Sequence, residues 1–67
     1  MRVEVKRVNY FGHTLQEEPD SVELSVEGEP LFDGEPGKEM DARIDGVLLG
    51  LEICDKEITF EIENIYD

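Results

Sequence analysis

A chain of 67 residues suits one small domain. Its 18 Asp and Glu against six Lys and Arg give a formal charge of −12 at pH 7. That balance argues against direct contact with nucleic acid or an anionic membrane, both of which need cationic neutralisation. Hydrophobic residues at 39%, patterned as set out below, argue against a disordered acidic tail. The lone Cys54 cannot form an intrachain disulfide, which suits a reducing, cytoplasmic setting. The N-terminal residues contain no apolar run of signal-peptide length, and the stretch Val47 to Leu51 is far too short to span a bilayer.

The first predicted element is a strand near 2–10. Val3 and Val5 alternate with Arg2, Glu4 and Lys6, and the apolar parity then shifts to Val8 and Tyr10, which predicts a bulge near Lys6-Arg7. Residues 1–14 carry Arg2, Lys6 and Arg7 against Glu4, a net +2, which leaves −14 on residues 15–67. The positive strand should therefore pair with acidic neighbours such as Glu23 and Glu27, or Glu61 and Glu63. A second strand near 21–27 follows from Val22, Leu24 and Val26 alternating with Ser21, Glu23, Ser25 and Glu27. Pro19 falls in the connection between these strands, and Pro30 and Pro36 bracket a Gly-rich stretch, 28–37, read as a loop.

From Met40 to Leu51 two patterns compete. Met40, Ile44, Val47, Leu48 and Leu51 fit one helix face, against which Gly46 and Gly50 each count about 1 kcal/mol. The preferred reading makes Asp45-Gly46 a two-residue hairpin turn. Asp55-Lys56 would make a second turn, setting Met40, Leu51 and Phe60 in one apolar row and Ala42, Leu49 and Ile62 in another. The expected fold is thus all-β, about five strands, ending in a three-stranded antiparallel meander (38–45, 47–54, 57–65). A small barrel or two-layer sandwich would cover the apolar face. The whole of 1–67 is expected to form this single domain.

The same register projects Asp41, Glu52, Glu57, Glu61 and Glu63 from the opposite face, together with Glu39 and Arg43. These carboxylates could meet the spacing of glycosidase-type chemistry, but no neighbouring residue pattern separates their pKa values. Asp33, Glu35, Glu39 and Asp41 do not follow the EF-hand spacing, and one His with one Cys cannot make a structural zinc site. His13 and Cys54 form a nucleophile pair only if the fold unites them, and carboxylates near Cys54 would raise its thiol pKa. No cofactor, no metal and no enzymatic activity are expected. Tyr10-Phe11 and Leu31-Phe32 read first as core plugs and second as interaction anchors.

The expected function is a small acidic interaction module that docks on a basic protein surface through Asp41, Glu52, Glu57, Glu61 and Glu63. Its strongest form is a nucleic-acid-mimicking inhibitor. Same-face carboxylates on a sheet lie ~6.7 Å apart along a strand and ~4.8 Å across strands. Duplex DNA carries one charge per ~1.7 Å, so the likeness is in sign and density, not register. The alternative is a structural or assembly subunit that completes a thin core as a homo-oligomer or inside a larger complex, suggested by Leu48 and Ile65 lying out of the apolar pattern.

Overall fold

The computed structural model describes residues 2–67. Their order is β1 (Arg2–Phe11), β2 (Ser21–Val26), β3 (Glu29–Gly34), α1 (Lys38–Ile53) and β4 (Glu57–Tyr66). The strands form one open sheet in the order β3-β2-β1-β4. β1 runs antiparallel to β2 and parallel to β4, and β2 runs antiparallel to β3.

The all-β expectation is overturned. The chain is mixed α/β, 24% helical and 48% strand, and its sheet is open rather than a barrel or sandwich. The two strands expected at 38–45 and 47–54 are one helix, and the meander does not form. Its last strand exists, but pairs with β1 in parallel register instead of with a neighbour in sequence. A β3 strand lies inside the expected 28–37 loop.

The helix is favoured because its apolar residues find a sheet to cover. Met40 and Ile44 are buried with Val3, Val5, Val22 and Leu24, while Val47, Leu48 and Leu51 pack at the margin with Val26, Phe32 and Ile58. Asp45-Gly46 is mid-helix, not a turn. The helix stops in a Schellman arrangement. Asp55 takes φ 57°. Its N–H donates to the Glu52 carbonyl at 3.0 Å, and the Lys56 N–H donates to the Leu51 carbonyl at 3.1 Å.

The two-residue hairpin turn occurs elsewhere, at Glu27-Gly28. Both residues have positive φ, 53° and 81°, as a type I′ turn requires. It joins β2 to β3, whose register slips between Leu24 and Ser25: Leu24 faces Phe32 and Ser25 faces Pro30, leaving Leu31 unpaired and exposed.

No bulge interrupts β1, whose pairing with β4 is continuous. The apolar parity shifts because the helix-side column changes character, from Val3 and Val5 to Arg7 and Asn9. The Arg7 Nε donates to the Asn9 Oδ1 at 3.0 Å, Asn9 Nδ2 donates to the Asn64 Oδ1 at 2.9 Å, and Arg7 Nη1 reaches the Asp41 Oδ1 at 3.4 Å. Beyond them Phe11 stacks on Tyr66, ring centroids 4.7 Å apart. Val8 and Tyr10 belong to the other face.

The radius of gyration is 12.5 Å, against about 11 Å expected for a compact domain of this length. The β1–β4 ribbon accounts for the elongation. A 16-residue helix spans about 24 Å, while each ten-residue strand spans about 33 Å.

Gly46 and Gly50 sit on the exposed side of α1, and a Cβ added at either meets no atom within 4 Å. Neither glycine is needed for close packing. Gly46→Ala and Gly50→Ala should each raise stability to urea by about 0.5–1 kcal/mol. Destabilisation by both would contradict the helix.

Candidate functional site: the uncovered acidic face of the sheet

The helix covers one face of the sheet, and the other is assembled by register. On β1 the side chains of Glu4, Lys6, Val8 and Tyr10 alternate with the core-facing Val3 and Val5. The parallel ladder sets Thr59 beside Glu4, Glu61 beside Lys6, Glu63 beside Val8 and Ile65 beside Tyr10. The antiparallel ladder sets Ser25 beside Lys6, Glu23 beside Val8 and Ser21 beside Tyr10, and Asp33 lies beyond Glu23. One row across the sheet therefore reads Asp33, Glu23, Val8, Glu63: three carboxylates around a valine only 6% exposed. Glu4, Lys6, Val8, Tyr10, Glu23, Ser25, Glu61 and Glu63 line a shallow depression of about 370 Å³.

Of the five residues expected to share a face, Glu57, Glu61 and Glu63 do so, at alternate positions of β4. Asp41 and Glu52 do not. Both are exposed on α1, across the sheet from these glutamates. Asp41 lies in the first helical turn, where a carboxylate suits the helix dipole, and pairs with Arg7 at 3.4 Å. Glu52 lies near the C-terminal end, where the dipole disfavours it. Their places on the sheet face are taken by Glu4, Glu23 and Asp33. Alternation along each strand does give the facing of Glu4 and Glu23. Joining them to Glu61 and Glu63 needs the parallel β1–β4 pairing, which no local pattern announces.

Cations are outnumbered on this face, which carries Arg2 beside Glu57 and Lys6 beside Glu61. Lys6 lies 3.9 Å from Glu63, with both side chains about half exposed, so the pair is weak. Glu23 and Asp33 are direct cross-strand neighbours of like charge, an arrangement that costs stability. Tyr10 reports this field. Its phenol is pushed above the ordinary value of 10.0 by partial desolvation, by the charge of Glu23 and a hydrogen bond to it, and by the charges of Glu63 and Asp33.

The remaining candidates are dispersed. Cys54 lies beyond the helix, next to the start of β4, and His13 lies just past the end of β1. Because β1 and β4 are parallel, the two residues sit at opposite ends of the sheet, about 30 Å apart. His13 is exposed, and its Nδ1 accepts the Leu15 N–H at 3.2 Å. Among the described residues, no group of three His, Cys, Asp or Glu side chains is arranged to hold a metal ion. The aromatic pairs split: Phe11 is buried and Tyr10 faces the acidic side, while Phe32 packs on the core and Leu31 does not.

The chain matches no protein-family model, no curated protein and no solved structure.

The field at Tyr10 can be measured by ultraviolet phenolate titration in a Tyr66→Phe background. Ionisation should lie above 10.0 and move down in Glu63→Gln. Because the folded value is raised, protonated Tyr10 contributes stability below the unfolded pKa, and that contribution is lost as pH rises through the folded one. An unchanged titration in Glu63→Gln would place Glu63 away from Tyr10.

Proposed function

We propose that the protein is a small, non-catalytic interaction module whose uncovered acidic sheet face docks on a basic protein surface. The row Asp33, Glu23, Val8 and Glu63 carries this reading. Like charges set side by side are destabilising in the free molecule, and a partner bearing Lys and Arg would relieve the repulsion. Tyr10 and the 39%-exposed Ile65 beside it give such a partner an apolar footing with a hydroxyl at its edge. The contact residues of the reading are Glu57, Glu61 and Glu63, joined by Glu23 and Asp33. A partner's nucleic-acid-binding groove is one basic surface of this kind, and occupying it would make the module an inhibitor. Steering by the net charge of −12 makes association fast and sensitive to salt.

Neutralising Glu61 and Glu63 isolates the effect. Gln is the better substitute, since a Lys at 61 would stand opposite Lys6. Glu61→Gln with Glu63→Gln moves the net charge from −12 to −10 and should change stability to urea by less than about 0.5 kcal/mol. A photoactivatable phenylalanine analogue at Thr59, on the acidic face, should form adducts with basic proteins of the native host. The same analogue at Ala42, on the exposed helix surface, should not. The adducts should disappear at high salt and weaken in the double variant. Equal labelling from both positions, or adducts indifferent to salt and to both substitutions, would contradict the assignment.

A further inference from the structure

The two edges of the sheet are unlike. β3 is short, carries Pro30 and slips register at Leu31, all features that blunt an edge against pairing. β4 has ten residues, no proline and an unbroken register with β1, so its outer row of N–H and C=O groups is a long, regular template. Its side chains are two-sided. Glu57, Glu61 and Glu63 lie on the acidic face, while Phe60 and Ile62, 40% and 61% exposed, lie on the helix side but outside the cluster packed under α1. The helix leaves this strip bare because Met40 and Ile44 seat it over β1 and β2.

We infer that the outer edge of β4 receives an extended segment of a partner protein in which apolar residues alternate with Lys or Arg. Added as a fifth strand, such a segment would take up the free backbone groups of β4. Its apolar side chains would cover Phe60 and Ile62, and its cations would meet Glu57, Glu61 and Glu63. A second copy of this chain fits poorly. Antiparallel β4–β4 registers centred on residues 60–62 that keep both helices on one side set a Glu opposite a Glu of the other copy. Parallel β4–β4 pairing, which puts the helices on opposite sides, sets Glu61 and Glu63 beside the apolar Phe60 and Ile62 of the other copy. Two chains of −12 also repel. The charge complement therefore selects a basic partner.

The inference rests on the proposed basic docking surface and adds a backbone requirement to it, so the test separates the two. The probes are an alternating Lys-Val peptide of ten residues and a peptide of the same composition with its lysines and valines in separate blocks. Two further probes are alternating peptides N-methylated at every lysine or at every valine. The alternating peptide should bind roughly tenfold tighter than the block peptide and shift β4 amide resonances but not those of β3. One N-methylated peptide should lose about tenfold, because only one set of N–H groups faces β4. Equal binding of alternating and block peptides, both weakened in Glu61→Gln with Glu63→Gln, would overturn strand addition and leave the acidic surface standing. Tight, N-methylation-sensitive binding indifferent to those substitutions would support strand addition and remove the acidic face from the account. Binding of neither peptide would overturn strand addition outright.

Discussion

Ten residue pairs, from Arg2 beside Glu57 to Phe11 beside Tyr66, join the first and last strands in a parallel ladder. A parallel pair needs a crossover, and everything between the two strands serves it. The β2–β3 hairpin builds the sheet outward on one side of β1, and α1 carries the chain back across one face so that β4 can start level with β1. With β4 in place β1 becomes an inner strand, and Val3 and Val5 fall under Met40 and Ile44. Without the ladder, the β1–β2–β3 sheet would have no neighbour on the β1 side, and Ile58 would lose its seat against the core.

The ladder also sorts the charge. One helix can cover only one side of a four-stranded sheet, so polar groups go to the other side, and in this chain most of the charged ones are acidic. The helix side is not uniformly apolar either. Where the helix begins, Arg7, Asn9, Asn64 and Asp41 satisfy one another with hydrogen bonds, and the stack of Phe11 on Tyr66 closes the end of the ribbon. The Phe11 carbonyl accepts the Asp67 N–H at 3.2 Å, which holds the end of β4 against β1. The acidic face and the exposed Phe60 and Ile62 thus have one cause: a single helix, shorter than the strands it covers, resting over β1 and β2.

How much of this the sequence discloses depends on the range of the interaction. The alternation in 2–10, 21–27 and 57–65 is local, and those strands form close to the expected bounds. The common facing of Glu57, Glu61 and Glu63 follows from the same alternation. The 38–53 segment was ambiguous for a physical reason. Its exposed helix surface carries Ala42, Leu49 and Ile53 as well as Gly46 and Gly50, so apolar residues occur all round it and the helical period is blurred. In a hairpin register Ala42 and Leu49 look like core, and in the structure both are exposed. Asp45-Gly46 then supplied a turn signal that the buried Met40 and Ile44 override, while Glu27-Gly28, with no Asn or Asp, did the turning. The grouping of Asp41 and Glu52 with the β4 glutamates fell with the meander. That of Glu4, Glu23 and Asp33 with Glu61 and Glu63 needed a contact some fifty residues apart along the chain, which no pattern within one strand encodes.

Backbone amide exchange in the free protein tests the ladder and its open edge together. Successive N–H groups of a strand point to opposite sides. From Val5 onward β1 has a strand on both sides, so its amides from Val5 to Val8 should all exchange slowly. Along β4, from Ile58 to Ile65, slow and fast amides should alternate, the slow ones facing β1 and the fast ones facing water. Uniformly fast exchange along β4 would mean that the parallel ladder does not hold, and uniformly slow exchange would mean that its outer edge is already covered.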